Sequence, residues 1–86
     1  MRYEKLPYER IRSLRIDNNL TQEDIAGSLN LKQNTYSQYE IGVLKFPVEV
    51  LIKLAVFHGT NVDYLLELTD NPAPYERSRK KTHWNV

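Results

Sequence analysis

Residues 20–42 read LTQEDIAGSLNLKQNTYSQYEIG, which scans as two short helices joined by a tight turn. The first helix starts at Thr21, whose hydroxyl can accept from a free first-turn amide, and Asp24 three residues on approximates a capping box. Glu23 and Asp24 bring negative charge to the positive end of the helix dipole. Ile25 and Leu29 are four apart and share a face, and the small Ala26 beside them lets a second helix cross closely. Asn30 tolerates the left-handed conformation that ends a helix, after which Leu31 can fold back onto the core.

The second helix is expected from about Gln33 to Glu40. At ~100° per residue, Gln33, Asn34, Ser37 and Gln38 form one arc, and Thr35, Tyr36 and Tyr39 form the other. The polar arc carries no charge, whereas a solvated helix face usually carries Glu and Lys. Asn and Gln can pair in bidentate fashion with the N6/N7 edge of adenine, and Ser can bond either kind of base edge. Tyr36 and Tyr39 are expected in the core.

Outward from this pair, Pro7 is expected to open a helix that runs to about Asp17, with Tyr8, Ile11 and Leu14 as its apolar stripe. Asn18 and Asn19 break it, and Leu20 returns the chain to the core. Gly42 ends the second helix of the pair, and residues 43–46 form a loop. Pro47 opens a fourth helix to about His58, with Leu51, Leu54, Ala55 and His58 facing inward and Gly59 ending it. His58 is expected to be packed rather than a ligand, and to gain from the helix dipole when protonated. Asn61 caps a fifth helix whose Val62, Leu65 and Leu66 pack inward, while Tyr64 and Leu68 hint at a dimer surface. The expected fold is therefore all-α: a compact five-helix bundle containing a helix-turn-helix over residues 1–70, then a Pro-interrupted, flexible basic tail over residues 71–86.

The 86 residues suit one small domain, and without cysteine there is no disulfide framework or thiolate metal site. No apolar run approaches the ~18 residues of a membrane span, so a cytoplasmic location is the default. Net charge is only +1, but Arg77, Arg79, Lys80 and Lys81 cluster in the tail. Neither a catalytic constellation nor a metal-spaced cluster is visible, so no enzyme, cofactor or metal is expected.

Three stretches in order, LTQEDIAGSL, the Thr35–Glu40 run ending at Gly42, and NVDYLL at 61–66, resemble the lambda-type repressor and Cro, or XRE-like, helix-turn-helix family. The resemblance covers roughly Ile11 to Leu66. It implies that the second helix enters the major groove of double-stranded DNA, with Gln33, Asn34, Ser37 and Gln38 at the base edges. It implies a phosphate contact at Gln22, and a structural ion pair between Arg15 and Glu40 that ties the first helix to the third. Two departures stand out: Lys32 holds the N-cap place where the family has Ser or Thr, and Ile41 replaces the Asn that often precedes the glycine. Lys32 and Lys45 would then add phosphate contacts.

The leading expectation is a sequence-specific transcriptional regulator, a repressor by occlusion, bound to DNA as a homodimer. The alternative is an antitoxin-like interaction module whose tail binds a partner protein. The tail itself is open between a flexible extension and an arm, carrying Tyr75 and Trp84, that touches phosphates or a second subunit.

Overall fold

The computed structural model describes residues 8–76. Their regular structure is helical throughout: α1 (Glu9–Asp17), α2 (Gln22–Ser28), α3 (Gln33–Glu40), α4 (Val48–His58) and α5 (Val62–Leu65). Pro7, the basic run from Arg77 to Lys81, and Trp84 lie outside the described residues.

Local chemistry sets most boundaries. Thr21 Oγ1 accepts from the Asp24 amide at 3.0 Å, and Asp24 Oδ2 accepts from the Thr21 amide at 2.9 Å, so the capping box at α2 is complete. The backbone hydrogen bond from Thr21 is the main reason the Asp24 carboxyl titrates below its ordinary value. Asn19 and Asn30 turn the chain at positive φ, as short polar side chains can. Gly42 and Gly59 do the same after α3 and α4. Asn61 Oδ1 accepts from the Tyr64 amide at 2.7 Å and caps α5.

α1 departs from expectation: it begins at Glu9, and Tyr8 precedes it in the left-handed conformation. Tyr8 is consequently exposed rather than part of the α1 stripe, and its ring meets that of Phe46 in a T-shaped contact. α5 is a single turn, and Leu66, expected inside, is its half-buried C-cap.

The core gathers Ile11 from α1, Ile25, Ala26 and Leu29 from α2, Tyr36 from α3, Val50, Leu54 and Ala55 from α4, and Leu65 from α5. Leu14, Leu20, Leu31, Tyr39, Leu51 and Val62 close around it. α2 packs on α3 and α4 on α5, while α1 touches both α3 and α5. Phe46, the last residue of the loop, is also buried, with the rings of Tyr8, Tyr36 and Tyr39 at centroid distances of 6.2, 6.4 and 5.4 Å. It holds the loop against the tyrosine face of α3, so the polar face of α3 is left outward.

The far end of the domain is tied to its start. Arg10 lies over the Tyr64 ring at 4.2 Å and donates from Nη1 to the carbonyls of Tyr64 and Thr69 at 3.0 and 2.9 Å. Beyond α5, Thr60 Oγ1 donates to the Pro72 carbonyl at 2.7 Å, and Asn61 Nδ2 donates to the carbonyls of Asn71 and Ala73 at 3.0 and 2.7 Å. The Tyr75 hydroxyl donates to Asp63. Chain anchored to the bundle by these bonds continues through residues 71–75.

His58 sits half-buried at the end of α4, its ring edge-on to Phe57 at 5.1 Å. Its buried Nε2 has no hydrogen-bond partner among the described residues. Burial pushes its pKa below the ordinary histidine value. Burial thus disfavours the protonated ring that the C-terminal end of a helix would favour.

Candidate nucleic-acid interface

α3 has two faces of opposite character. Tyr36 is fully buried and Glu40 is 2 % exposed, while Tyr39 packs half-buried against the core. Gln33 and Asn34 on the other face are exposed, with Ser37 and Gln38 half-buried behind them. All four members of the amide-rich arc are thereby carried by one rigid helix whose other face is locked.

The lock is a set of hydrogen bonds converging on Glu40. Arg15 Nε donates to Oε2 and Arg15 Nη2 to Oε1, both at 2.9 Å, a bidentate pair. The Tyr36 hydroxyl, one helical turn earlier, donates to Oε2 at 2.8 Å, and Gln22 Nε2 donates to Oε1 at 3.0 Å. Arg15 Nη1 also donates to the Leu20 carbonyl at 2.9 Å, so the same guanidinium holds the α1–α2 turn.

Burial works to raise the pKa of Glu40, and the donors from Arg15, Gln22 and Tyr36 together outweigh it and leave the carboxyl below its ordinary value. Hydrogen bonding to Glu40 raises Arg15 further above neutrality. Burial, then the bond to Glu40, pushes the Tyr36 phenol up, so it stays a donor. The carboxylate is therefore ionised yet neutralised internally. A charge that would repel phosphate is turned away from the outer surface of α3.

The remaining sequence-selected residues lie around this helix. Lys32 is the exposed N-cap of α3 and makes no side-chain cap bond. Lys45 is exposed in the loop that follows α3. Gln22 occupies the first position of α2, half-buried, with its amide nitrogen already engaged by Glu40. Nothing local in the sequence marks the link from Gln22 to Glu40, whose side chains lie 18 residues apart. Ile41 follows α3 as an exposed apolar residue.

A family profile described as a helix-turn-helix domain matches residues 8–71. The chain is 35% identical over 85 residues to a Bacillus subtilis (strain 168) protein named "Uncharacterized HTH-type transcriptional regulator YobD", covering 90% of this chain and 76% of that protein. It is 37% identical over 57 residues to the "Cryptic phage CTXphi transcriptional repressor RstR" of Vibrio cholerae, covering 66% of this chain and 51% of that protein. No solved structure matches the chain significantly. With the capped α2, the Asn30 turn, the two-faced α3 and a profile spanning most of its length, the chain belongs to the lambda repressor/Cro-type, XRE-like family of helix-turn-helix DNA-binding proteins.

Proposed function

We propose that the protein is a sequence-specific regulator of transcription that works in the cytoplasm as a repressor, by placing α3 in the major groove and occluding the site. The observation that carries this is the uncharged amide face of α3, exposed at Gln33 and Asn34 and backed by the buried Tyr36 and Glu40. Gln33, Asn34, Ser37 and Gln38 read base edges, where amides match the N6/N7 edge of adenine. Lys32, Lys45, Gln22 and the first amides of α2 and α3 set the register on the phosphate backbone. For Gln22 the contact falls to its backbone amide or to the second Nε2 hydrogen, since the first is given to Glu40. Relatives that carry the names transcriptional regulator and transcriptional repressor support the reading. Binding is to two half-sites as a homodimer, about 34 Å apart.

The test is selection of bound duplexes from a random pool by the full-length protein. Enrichment of one sequence with two related halves about one helical turn apart is the expected result. A pool that stays random, bound with a steep salt dependence at every sequence, would show phosphate attraction without base readout.

A further inference from the structure

Four of the exposed large apolar side chains fall within eight consecutive positions: Ile41, Val43, Leu44 and Val48. Val43 and Val48 are 64% and 69% exposed, values that a residue packed within its own domain does not show. The same loop borders a hollow of about 200 Å³, lined by Tyr8, Tyr39, Gly42, Leu44, Lys45 and Phe46. Apolar projections and an aromatic hollow carried by one loop offer each copy both halves of an isologous two-fold contact.

This loop is rigid with respect to α3. Gly42 reverses the chain at φ 88, the Leu44 amide donates to the Gln38 carbonyl at 3.0 Å, and Phe46 is packed among tyrosines. Anything that grips the loop therefore orients the recognition helix. Charge also selects the occupant. The surface carries Lys45 and Glu49, both exposed, one of each sign and four residues apart. Across a two-fold axis each Lys45 can give one ammonium hydrogen to the other copy's Glu49 and keep its others for phosphate, and Glu49 argues against a surface given over wholly to phosphate.

We propose that residues 41–49 form the contact between two copies of this chain, with each copy's valines seated against the other's hollow, so that the α3 helices are coupled through their C-terminal ends. The proposal rests on the DNA-binding reading for its purpose but not for its test. Nine residues, 41–49, are few beside the roughly 20–30 a side of a stable interface, so the free dimer is weak and paired half-sites complete it. The contact places the base-reading starts of the two α3 helices at the outer ends of the assembly, the arrangement that paired half-sites need.

The experiment compares the full-length protein with Val43→Asn and Glu49→Lys, both exposed positions, with thermal melting as a check that each variant folds. Sedimentation over a range of concentrations, without DNA, is expected to show self-association of the parent and a dissociation constant raised at least tenfold in each variant. Combining Glu49→Lys with Lys45→Glu restores unlike charges across the axis and is expected to recover association. On DNA, the variants are expected to lose their preference for a two-half-site duplex over a single half-site. Glu49→Lys is expected to leave single half-site binding intact or stronger, because it adds positive charge. If neither parent nor variant binds any selected duplex, the DNA reading fails while sedimentation still decides the surface. A parent that stays monomeric with no paired-site advantage, or variants that associate as the parent does, would overturn the proposal and leave the surface to a different protein.

Discussion

Gln22, the first residue of α2, and Glu40, the last residue of α3, are joined by a 3.0 Å hydrogen bond from the amide nitrogen to the carboxylate. An ionised carboxylate only accepts, so the bond fixes which end of the amide, the nitrogen, faces Glu40. The two helices of the motif are thereby joined at their outer ends as well as at the turn between them. The same carboxylate takes the Arg15 guanidinium from α1, so three helices meet on one side chain.

Replacing Arg15 by Met should leave Glu40 charged, buried and short of its main partner. Removing one half of a buried pair costs about 3–5 kcal/mol. Joint replacement of Arg15 by Met and Glu40 by Leu is expected to cost clearly less than the sum of the two single changes. Urea denaturation of the four proteins in the cycle measures this, and additive losses would mean that the pair is not coupled.

Tyr36→Phe keeps the ring in the core but removes the donor to Glu40 Oε2. The expected loss is about 1.5–3 kcal/mol, the range for a hydrogen bond to a charged group. Tyr39 bonds no carboxylate among the described residues, and its ring packs at the edge of the core. Tyr39→Phe is thus expected to be near neutral in the same melting experiment. Equal losses at both positions would show that the hydroxyl of Tyr36 contributes nothing specific.

His58 has a folded-state pKa below its ordinary value, so the unfolded chain takes up the proton first as pH falls. Its contribution is full above the unfolded pKa of ~6.5 and is lost progressively as pH drops through that value to the folded one. The carboxyl of Glu40, also lowered, adds an acid-side loss that begins below the ordinary carboxylate pKa of ~4.3. Melting temperature against pH should therefore fall in two stages. His58→Leu is expected to remove the upper stage and spare the lower one.

Gln33→Ala should cost on the order of 1–3 kcal/mol on the selected site, with much less lost on random duplex. Titration of both duplexes at one salt concentration measures the difference. Equal losses on the two would move Gln33 from base reading to the phosphate backbone.

What could be seen from the residues alone divides along sequence distance. The capping box at Thr21 and Asp24, the left-handed Asn30 and the two arcs of α3 are local, and each depends on side chains within a turn or so of one another. The Arg15–Glu40 pair needed the family resemblance, because 25 residues separate two charges that composition alone leaves unrelated. Phe46 reads from sequence only as loop, since one aromatic residue in a short connection has no periodicity to mark it as core. The hydrogen bonds from Thr60 and Asn61 to residues 71–73 were invisible for a similar reason: their acceptors are backbone carbonyls, which every residue has. At His58 the sequence shows the helix end but not the burial of the ring, and that burial is what lowers its pKa.

The Arg10 contacts bear on how the chain assembles. They join α1 to residues 54 to 60 positions away, nearly the whole described length. The α2–α3 pair, by contrast, closes over a few residues at the Asn30 turn. Loop-closure entropy favours the short loop first. The DNA-reading pair is then expected to form early in folding and the α1–α5 seam to close last. Amide hydrogen exchange should find that seam opening first, with the motif still intact behind it.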